Sequence, residues 1–373
     1  MAGSLPEKNL SLVEMNELIK NGNVKRQQRA ISTVTVGERH AWSYESSSTV
    51  ESLRSGRSPY MESFRQGATL VPRPFWFVRA VSHPRLGADP NAPFVESTEH
   101  SLRMAKRPWR RSELNGQVES LFIFATLMGG DILPFGHLPF RTVVLPVLAS
   151  KEYSVIPSQE LGQLGFSHMR VWMAKAEAEW GRGRGPKAEK MSLLRRLDYQ
   201  KGLTGQDPKA RLLVMYNTSG RKNLSACVIE VPRKMVVRSN GNEFVATGFV
   251  AESSTYFAPV KSMAEGAYLT AFLNSSSTFE ILRRIKAVRH VHKKVWELPL
   301  PRFNPRQADH AALASVGEDA RQDAKGAILR AAGNYEPASV LSTGQTGKIR
   351  RVVKATIADH LHAADDLVKR ILT

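Results

Sequence analysis

Residues 266–305 read GAYLTAFLNSSSTFEILRRIKAVRHVHKKVWELPLPRFNP, which is an apolar segment, a polar break, a basic segment and a proline-rich end. Leu269, Phe272 and Leu273 recur at helical spacing, which predicts a first helix with a buried face. The polar run that follows ends this helix. Ser277 with Glu280 matches a capping box, so a second helix is expected to begin there.

The second predicted helix has one apolar side and basic side chains on its other surfaces. Phe279, Leu282 and Ile285 form the apolar side. The basic side chains are either an ordinary solvated face or part of a surface that binds a polyanion. The candidate contacts selected from this region are Arg283, Arg284, Lys293 and Lys294.

The end of the stretch predicts a short strand. Trp296, Leu298 and Leu300 alternate with other residues, as one buried face of a strand does. Pro299 and Pro301 place that strand at the edge or the end of a sheet, because proline has no N–H to donate.

The composition favours a polyanionic partner. The 373 residues contain 53 Lys and Arg against 34 Asp and Glu, a formal net charge of +19, while 42% apolar residues are enough for a core. Nucleic acid matches this charge better than a membrane surface does. No run of about 18 apolar residues occurs, so no spanning helix is expected. The N-terminus has no apolar signal segment, which predicts a cytoplasmic protein.

The single cysteine, Cys227, excludes an internal disulfide framework and paired-cysteine zinc sites. It lies in an apolar run that is typical of a strand. A small buried hydrophobe is therefore expected there, rather than a reactive thiol.

Three basic segments precede the middle of the chain. Arg73 lies between two prolines in a strand predicted over 68–78, where it either pairs with a carboxylate or presents its planar fork to a phosphate or a guanine. Residues 106–111 embed a tryptophan among cations, and 181–187 predict a flexible basic hinge or arm. The candidate contacts from these segments are Arg73, Arg110, Arg111, Arg182 and Arg184.

Other patterns predict a β-rich core with inserted helices. Helices are expected through Val118, Leu121, Phe122 and Ala125 and over 163–180, with a buried strand over 141–148. Further strands are expected at 212–216, 226–231, 235–238, 244–250 and 256–260. The turn at 217–223 either carries Arg221 and Lys222 into a groove or is an ordinary solvated turn.

Beyond residue 305 the sequence becomes alanine-rich and helical in pattern. Residues 308–332 and 348–372 predict two long helices joined through 334–347, a helical hairpin. The fold class expected is therefore α+β. We expect an N-terminal extension over 1–60, a core over 61–305 and the hairpin over 306–373.

The sequence gives little support to catalysis by this chain. No glycine-rich loop lies between a strand and a helix to hold a nucleotide or S-adenosylmethionine. The His290/His292 pair lies among cations, and His360/His362 face apart on a helix, so no metal site is expected. Asp319, Asp323 and Lys325 faintly resemble a nuclease site, but a solvated helix face is the simpler interpretation.

Several segments, in order over roughly residues 60–315, resemble one family. They are QGATLVPRPF at 66–75, Trp109 through Glu119 to Phe122, LPF at 133–135 with VVLP at 143–146, VMYNTSG at 214–220, and AYLTAFLNS at 267–275 ahead of LPLPRF at 298–303. Together they are similar to the C-terminal target-recognition region of large bacterial N6-adenine DNA methyltransferases, including the type IIG restriction–modification enzymes. The catalytic half of that family, with its Asn-Pro-Pro-Tyr step and cofactor loop, has no counterpart here, because the chain contains no Pro-Pro step.

The resemblance implies recognition of double-stranded DNA in a restriction–modification or phage-defence system, without methyl transfer by this chain alone. S-adenosylmethionine would then be bound by a catalytic partner subunit or domain. Two alternatives stay open from the residues themselves: a basic RNA- or ribosome-associated protein, and a stand-alone metal-dependent nuclease.

Overall fold

The computed structural model describes residues 32–36, 39–43, 53, 56–82, 89–219, 224–231, 235–239, 242–285, 291–333 and 342–373. These ranges contain several antiparallel sheets, helices inserted between strands and a helical C-terminus. The predicted α+β class is confirmed.

The strands of these ranges are β1 (Ser32–Val36), β2 (Arg39–Ser43), β3 (Arg65–Gln66), β4 (Phe77–Ala80), β5 (Phe94–Ser97), β6 (Asn115–Gln117), β7 (Ile123–Thr126), β8 (Ile132–Leu133), β9 (Gly136–His137), β10 (Arg141–Val144), β11 (Val147–Ala149), β12 (Tyr153–Val155), β13 (Leu212–Asn217), β14 (Ala226–Glu230), β15 (Met235–Ser239), β16 (Asn242–Ala246) and β17 (Thr255–Pro259). The α-helices are α1 (Glu99–Met104), α2 (Ser158–Gln163), α3 (Ser167–Gly183), α4 (Leu193–Leu197), α5 (Met263–Asn274), α6 (Ser276–Ile285), α7 (Ala308–Ala332), α8 (Thr343–Thr356) and α9 (Ala358–Leu372).

The first large sheet has the strand order β6-β5-β4-β10-β7, and each neighbouring pair is antiparallel. Helix α3 shares its core, with Trp172 and Met173 buried in the same cluster as Trp76 and Phe122. The Trp172 indole N–H also donates to the carbonyl oxygen of Phe75 at 3.1 Å. Burial and this hydrogen bond together fix α3 against the sheet.

The second large sheet has the order β14-β13-β17-β3 and supports α5. The Asn274 side chain, at the end of α5, clips the helix to β14: its oxygen accepts from the Ala226 N–H at 2.9 Å and its amide donates to the Ala226 carbonyl at 2.8 Å. Leu269, Phe272 and Leu273 are fully buried, as their spacing predicts. Cys227 is buried in β14, and burial raises the pKa of its thiol.

The N-terminal cap of the second helix lies two residues earlier in the chain than the capping-box pattern predicts. Helix α6 begins at Ser276, and the Ser275 hydroxyl accepts from the Thr278 N–H at 3.4 Å. The N-terminal cap is thus Ser275 rather than Ser277. The Ser275 hydroxyl also donates to Asp365 at 2.6 Å, which ties the break to α9.

The prediction of a strand around Trp296 is wrong. His292–Glu297 form a 3-10 helix, and residues 298–304 beyond it belong to no strand. Trp296, Leu298 and Leu300 are buried, but so are Val295 and Pro299, so no exposed face alternates with a buried one. Trp296 stacks on Phe64 with ring centroids 4.4 Å apart and donates to the Tyr216 hydroxyl at 3.2 Å. The segment is a core-filling connection.

Two predictions in the first half are also corrected. Residues 68–78 contain a 3-10 helix at Arg73–Phe75, and only β4 at their end is a strand, because the two prolines remove ladder donors and fix φ. The helix expected through Val118 to Ala125 is instead a 3-10 helix at Ser120–Phe122 followed directly by β7. Every residue of β7 is buried, and a short, wholly buried run does not distinguish strand from helix by its periodicity.

The strands expected between residues 212 and 260 are confirmed as β13 to β17, with shifted ends, and the long helix expected over 308–332 is confirmed as α7. The single helix predicted over 348–372 is wrong: it is α8 and α9, which meet at Ile357, where ψ is 17°. Helices α8 and α9 both pack on α7, and α7 packs on α5. The C-terminal helices therefore share one core with the second sheet.

Candidate nucleic-acid interface

Two tryptophans bring together two basic segments that are far apart in sequence. Trp109 ends a 3-10 helix at Arg107–Trp109, and Trp180 lies near the end of α3. Their rings stack with centroids 5.4 Å apart and an interplanar angle of 7°. Both side chains are nearly buried, so the stacked pair is a fixed support.

Hydrogen bonds at Glu179 reinforce the same junction. The Trp109 indole N–H donates to the Glu179 carbonyl at 3.2 Å, and the Ser112 hydroxyl donates to the Glu179 carboxylate at 2.5 Å. The segments on either side of the stack are thus bonded directly to each other. We call the cations that surround this junction the Trp109–Trp180 patch: Lys106, Arg107, Arg110, Arg111, Arg182 and Arg184.

The patch contains four of the predicted contact residues. Arg110 and Arg111 are exposed, and the Arg110 Nε donates to the Ala105 carbonyl at 3.1 Å, which directs its side chain. The Arg182 side chain is 73% exposed and forms an ion pair with Glu179 at 2.8 Å. Arg184 is partly buried, with Nη1 at 3.5 Å from the Met191 carbonyl.

The prediction of a flexible hinge over 181–187 is wrong for the first half of that segment. Helix α3 continues through Gly183, and a 3-10 helix follows at Pro186–Ala188. Gly183 lies so close to the Trp109 ring that a Cβ there would be 2.3 Å from Nε1. The glycine is needed for close packing on the tryptophan.

A second group of predicted residues lies around the 3-10 helix at His292–Glu297. Lys293 and Lys294 are half-buried on it, and its first turn is fixed by a bond from the Tyr216 hydroxyl to the His292 carbonyl at 2.8 Å. The Val291 N–H donates to the Thr218 carbonyl at 2.9 Å, so this helix touches the end of the β13 hairpin.

The remaining candidates of this region are described only in part. Arg283 is exposed on α6, and Arg284 belongs to the same helix. Arg221 and Lys222, predicted at the hairpin tip, lie outside the described residues.

Of the two roles predicted for Arg73, the geometry favours pairing with a carboxylate over contact with a phosphate or a guanine. Its Nη2 lies 3.6 Å from the carboxylate of Glu252, a residue with no exposed surface. Glu252 also accepts from the Ser254 N–H at 2.8 Å and from the Ser253 hydroxyl at 3.1 Å. Arg73 therefore partly neutralises a buried acid. Its Nε is buried and has no hydrogen-bond partner among the described residues.

A second buried ion pair lies near Arg73. Arg141 donates to both oxygens of Asp131, at 2.6 and 2.7 Å. Burial alone would lower the pKa of Arg141, but Asp131 and then Glu252 raise it above its usual value. Arg141 therefore stays charged at physiological pH.

His100 lies in the field of these charges and was not selected from the sequence. Burial, and then the charges of Arg141 and Arg103, lower its pKa from 6.5 to about 4. Neither His100, Asp131 nor Glu252 stands in a motif, and only their burial identifies them. Asp131 and Glu252 form buried ion pairs with Arg141 and Arg73, and His100 is neutral at physiological pH.

The described residues contain no group of three or more His, Cys, Asp or Glu side chains placed to hold a metal ion. Asp323 of the faint nuclease pattern lies on α7, where its carboxylate is 2.9 Å from the His360 ring on α9. Within the same ranges, none of the helices is long and apolar enough to cross a bilayer.

Comparison with protein-family models and with curated proteins gives no match. Among solved structures, the chain is similar to the Type IIL restriction-modification enzyme MmeI in complex with DNA, with a TM-score of 0.43 and 11% identity. The similarity covers 83% of this chain and 32% of that one, so the chain spans about a third of that enzyme's length. At this TM-score and identity, the similarity decides nothing about function.

Proposed function

We propose that this chain binds duplex DNA and is the target-recognition part of a site-specific adenine methyltransferase in a restriction–modification or phage-defence system. The observation that carries the proposal is the Trp109–Trp180 patch, in which a rigid aromatic junction holds six cations from two segments. Methyl transfer and S-adenosylmethionine belong to a catalytic partner subunit or domain. In this proposal residues 61–305 bind the DNA, with 1–60 as an extension and 306–373 as a supporting helical unit.

The patch fits the phosphate backbone of a duplex. Arginine and lysine that neutralise phosphates release condensed counterions, and this release supplies most of the sequence-independent affinity. Four of the six cations, Lys106, Arg107, Arg110 and Arg111, are exposed and lie within six residues of the chain. Because these cations are exposed, a phosphate can reach them without a change in the fold. The tryptophans hold the backbone of both segments in place, which limits the conformational entropy lost on binding.

Base recognition requires other residues, since phosphate contacts set register without reading sequence. The group around Lys293 and Lys294 is suited to this role, because its 3-10 helix contacts the β13 hairpin end at Thr218. Recognition by a loop and a short helix beside it is compatible with insertion into a groove. A target adenine flipped out of the duplex would then be accepted by the catalytic partner.

Equilibrium binding of a fluorescent random-sequence duplex tests the proposal. The variant Arg110→Ala with Arg111→Ala is expected to weaken binding at least about tenfold, equivalent to about 1.4 kcal/mol. The matched control is Lys369→Ala with Arg370→Ala, an adjacent exposed pair on α9 that removes the same charge. Equal effects of the two double variants would remove the patch from the interface.

Competition between duplex DNA and RNA distinguishes the proposal from a basic RNA-associated protein. The unlabelled duplex is expected to displace the labelled one at lower concentration than an RNA hairpin of equal length does. Preferential displacement by RNA would contradict the DNA proposal and favour the RNA-associated alternative.

A further inference from the structure

Helix α8 differs in charge from the other long helices. Its sequence, TGQTGKIRRVVKAT, contains four cations and no acidic residue. Ile349 and Val353 form its buried face, against α7. Lys348 and Arg351 are exposed, whereas Arg350 and Lys354 lie at the flank of the buried face, partly buried.

Arg350 is partly buried and forms no ion pair with a carboxylate of the described residues. Its Nη2 donates to the Ile132 carbonyl of β8 at 3.2 Å, and its Nε is buried with no acceptor anywhere in the described part of the chain. The contrast with two other partly buried arginines is clear: Arg141 has Asp131, and Arg321 has Glu318 and Glu230. A guanidinium has five N–H donors in a planar fork. The Nη1 donors of Arg350 form no hydrogen bond among the described residues, so this end of the fork can take another ligand.

A second cation lies beside it. Lys354 follows Arg350 by one helical turn, on the same flank of α8. Burial lowers the pKa of both side chains, and the charge of Arg350 lowers that of Lys354 further. The charge of Arg350, which has no carboxylate partner among the described residues, favours the binding of an anion in this partly desolvated position, because a buried charge without compensation is costly.

We propose that Arg350, assisted by Lys354, binds a backbone phosphate of the bound DNA from the C-terminal helices. This inference rests on the proposed function and adds a contact outside the 61–305 region. A phosphate can accept two parallel hydrogen bonds from a planar guanidinium. A lysine ammonium acts as a point charge and does not make this paired contact. The C-terminal helices then take part in DNA binding directly, in addition to supporting the second sheet.

The salt dependence of duplex binding by the full chain tests this contact. Arg350→Met is expected to make the log–log slope shallower by about 0.9, the value for one neutralised phosphate. Arg351→Met, the exposed neighbour with the same charge change, is the matched control and is expected to change the slope less. Equal slopes for the two variants would overturn the contact.

Thermal unfolding in inorganic phosphate, against chloride at equal ionic strength, tests the site without DNA. The wild-type chain is expected to gain Tm in phosphate, and Arg350→Met is expected to lose that gain. A phosphate-dependent gain with an unchanged DNA slope would overturn the DNA contact and assign the site to free phosphate. No difference between the chains in either assay would overturn the site altogether.

Two further outcomes separate this inference from the proposed function. If the wild-type chain does not bind the duplex at all, the proposed function fails, and the phosphate assay alone decides the site. If Arg350→Met does not fold, Arg350→Lys keeps the charge and removes the fork. That variant is then expected to lose part of the phosphate-dependent gain in Tm, and an undiminished gain would overturn the site.

Discussion

At the scale of single residues, Gly183 determines whether the two basic segments of the Trp109–Trp180 patch stay joined. A Cβ at this position would be 2.3 Å from the Trp109 Nε1 and 2.8 Å from Cε2. The ring is held by its stack on Trp180 and by its bond to Glu179, so it has little room to move. The relative placement of the five arginines of the patch thus depends on one missing methyl group.

The substitution Gly183→Ala is therefore expected to separate Trp109 from Trp180 and to weaken DNA binding without a change in net charge. The loss of the stack is read from near-ultraviolet circular dichroism, and the affinity from the duplex-binding assay. Gly181→Ala is the matched control on the same helix, because its Cβ would meet nothing within 4 Å. Wild-type affinity in Gly183→Ala would show that the junction does not organise the interface.

His100 is expected to make stability depend on pH. Its pKa is about 4 in the folded chain against 6.5 for the free group, chiefly because of burial. The unfolded state therefore takes up the proton first as the pH falls. The stability contribution is complete above 6.5 and is lost progressively between 6.5 and about 4.

Urea unfolding at about pH 7 and about pH 5 measures this effect. The free energy of unfolding is expected to fall between the two conditions by more in the wild-type chain than in His100→Gln. His362→Gln, at an exposed position on α9, controls for loss of a histidine. Identical pH dependence in the wild-type and His100→Gln chains would contradict the assignment.

At the scale of elements, the sequence predicts best where one periodicity is continuous. Helix α7 and strands β13 to β17 follow their patterns closely, since amphipathic periodicity is decided locally. The failures are at segments buried on several sides, such as β7 and the 3-10 helix around Trp296, where tertiary packing decides between conformations.

At the candidate site, too, the sequence shows which residues are present, but the contacts between distant segments depend on the fold. The cations at 110–111 and 182–184 were identifiable from charge and an embedded tryptophan, but their meeting depends on α3 folding back onto residue 109. The structural partner of Arg73, Glu252, is 179 positions further along the chain and is in no motif. Sequence patterns reveal residue types, and only the fold reveals which of them meet.

Close packing of α5 and α7 is the feature that joins the C-terminal helices to the second sheet. Gly317 of α7 faces the Ala267 carbonyl of α5, and a Cβ there would be 2.3 Å from that oxygen. Because the obstacle is backbone, the helices themselves must separate. Gly317→Ala is expected to lower the free energy of unfolding by about 1–3 kcal/mol, the range for overpacking.

Gly326→Ala on the same helix is the control for this prediction. Its Cβ would meet only the end of the flexible Arg330 side chain, at 3.2 Å. A neutral effect, or stabilisation of up to about 1 kcal/mol from higher helix propensity, is expected. Equal unfolding free energies for the two variants in chemical denaturation would contradict the close approach of α5 and α7.

At the scale of the whole molecule, the excess of 19 positive charges is the property that the proposed function must explain. Several cations are neutralised internally, as Arg141 is by Asp131 and Arg321 is by Glu318. The remaining excess includes exposed cations of the Trp109–Trp180 patch, such as Arg110 and Arg111, and exposed cations of helix α8, Lys348 and Arg351. Both belong to well-packed parts of the chain, so the charge is held in place by the fold.

Duplex-DNA affinity measured across a series of salt concentrations tests the central claim most directly. Each neutralised phosphate contributes about −0.9 to the slope of log affinity against log salt, so a patch that meets at least three phosphates predicts a slope of about −2.7 or steeper. Arg110→Ala with Arg111→Ala is expected to make that slope shallower by up to about 1.8, the value for two phosphate contacts. A flat salt response of the wild-type chain, or a slope unchanged by the double substitution, would contradict DNA binding through this patch.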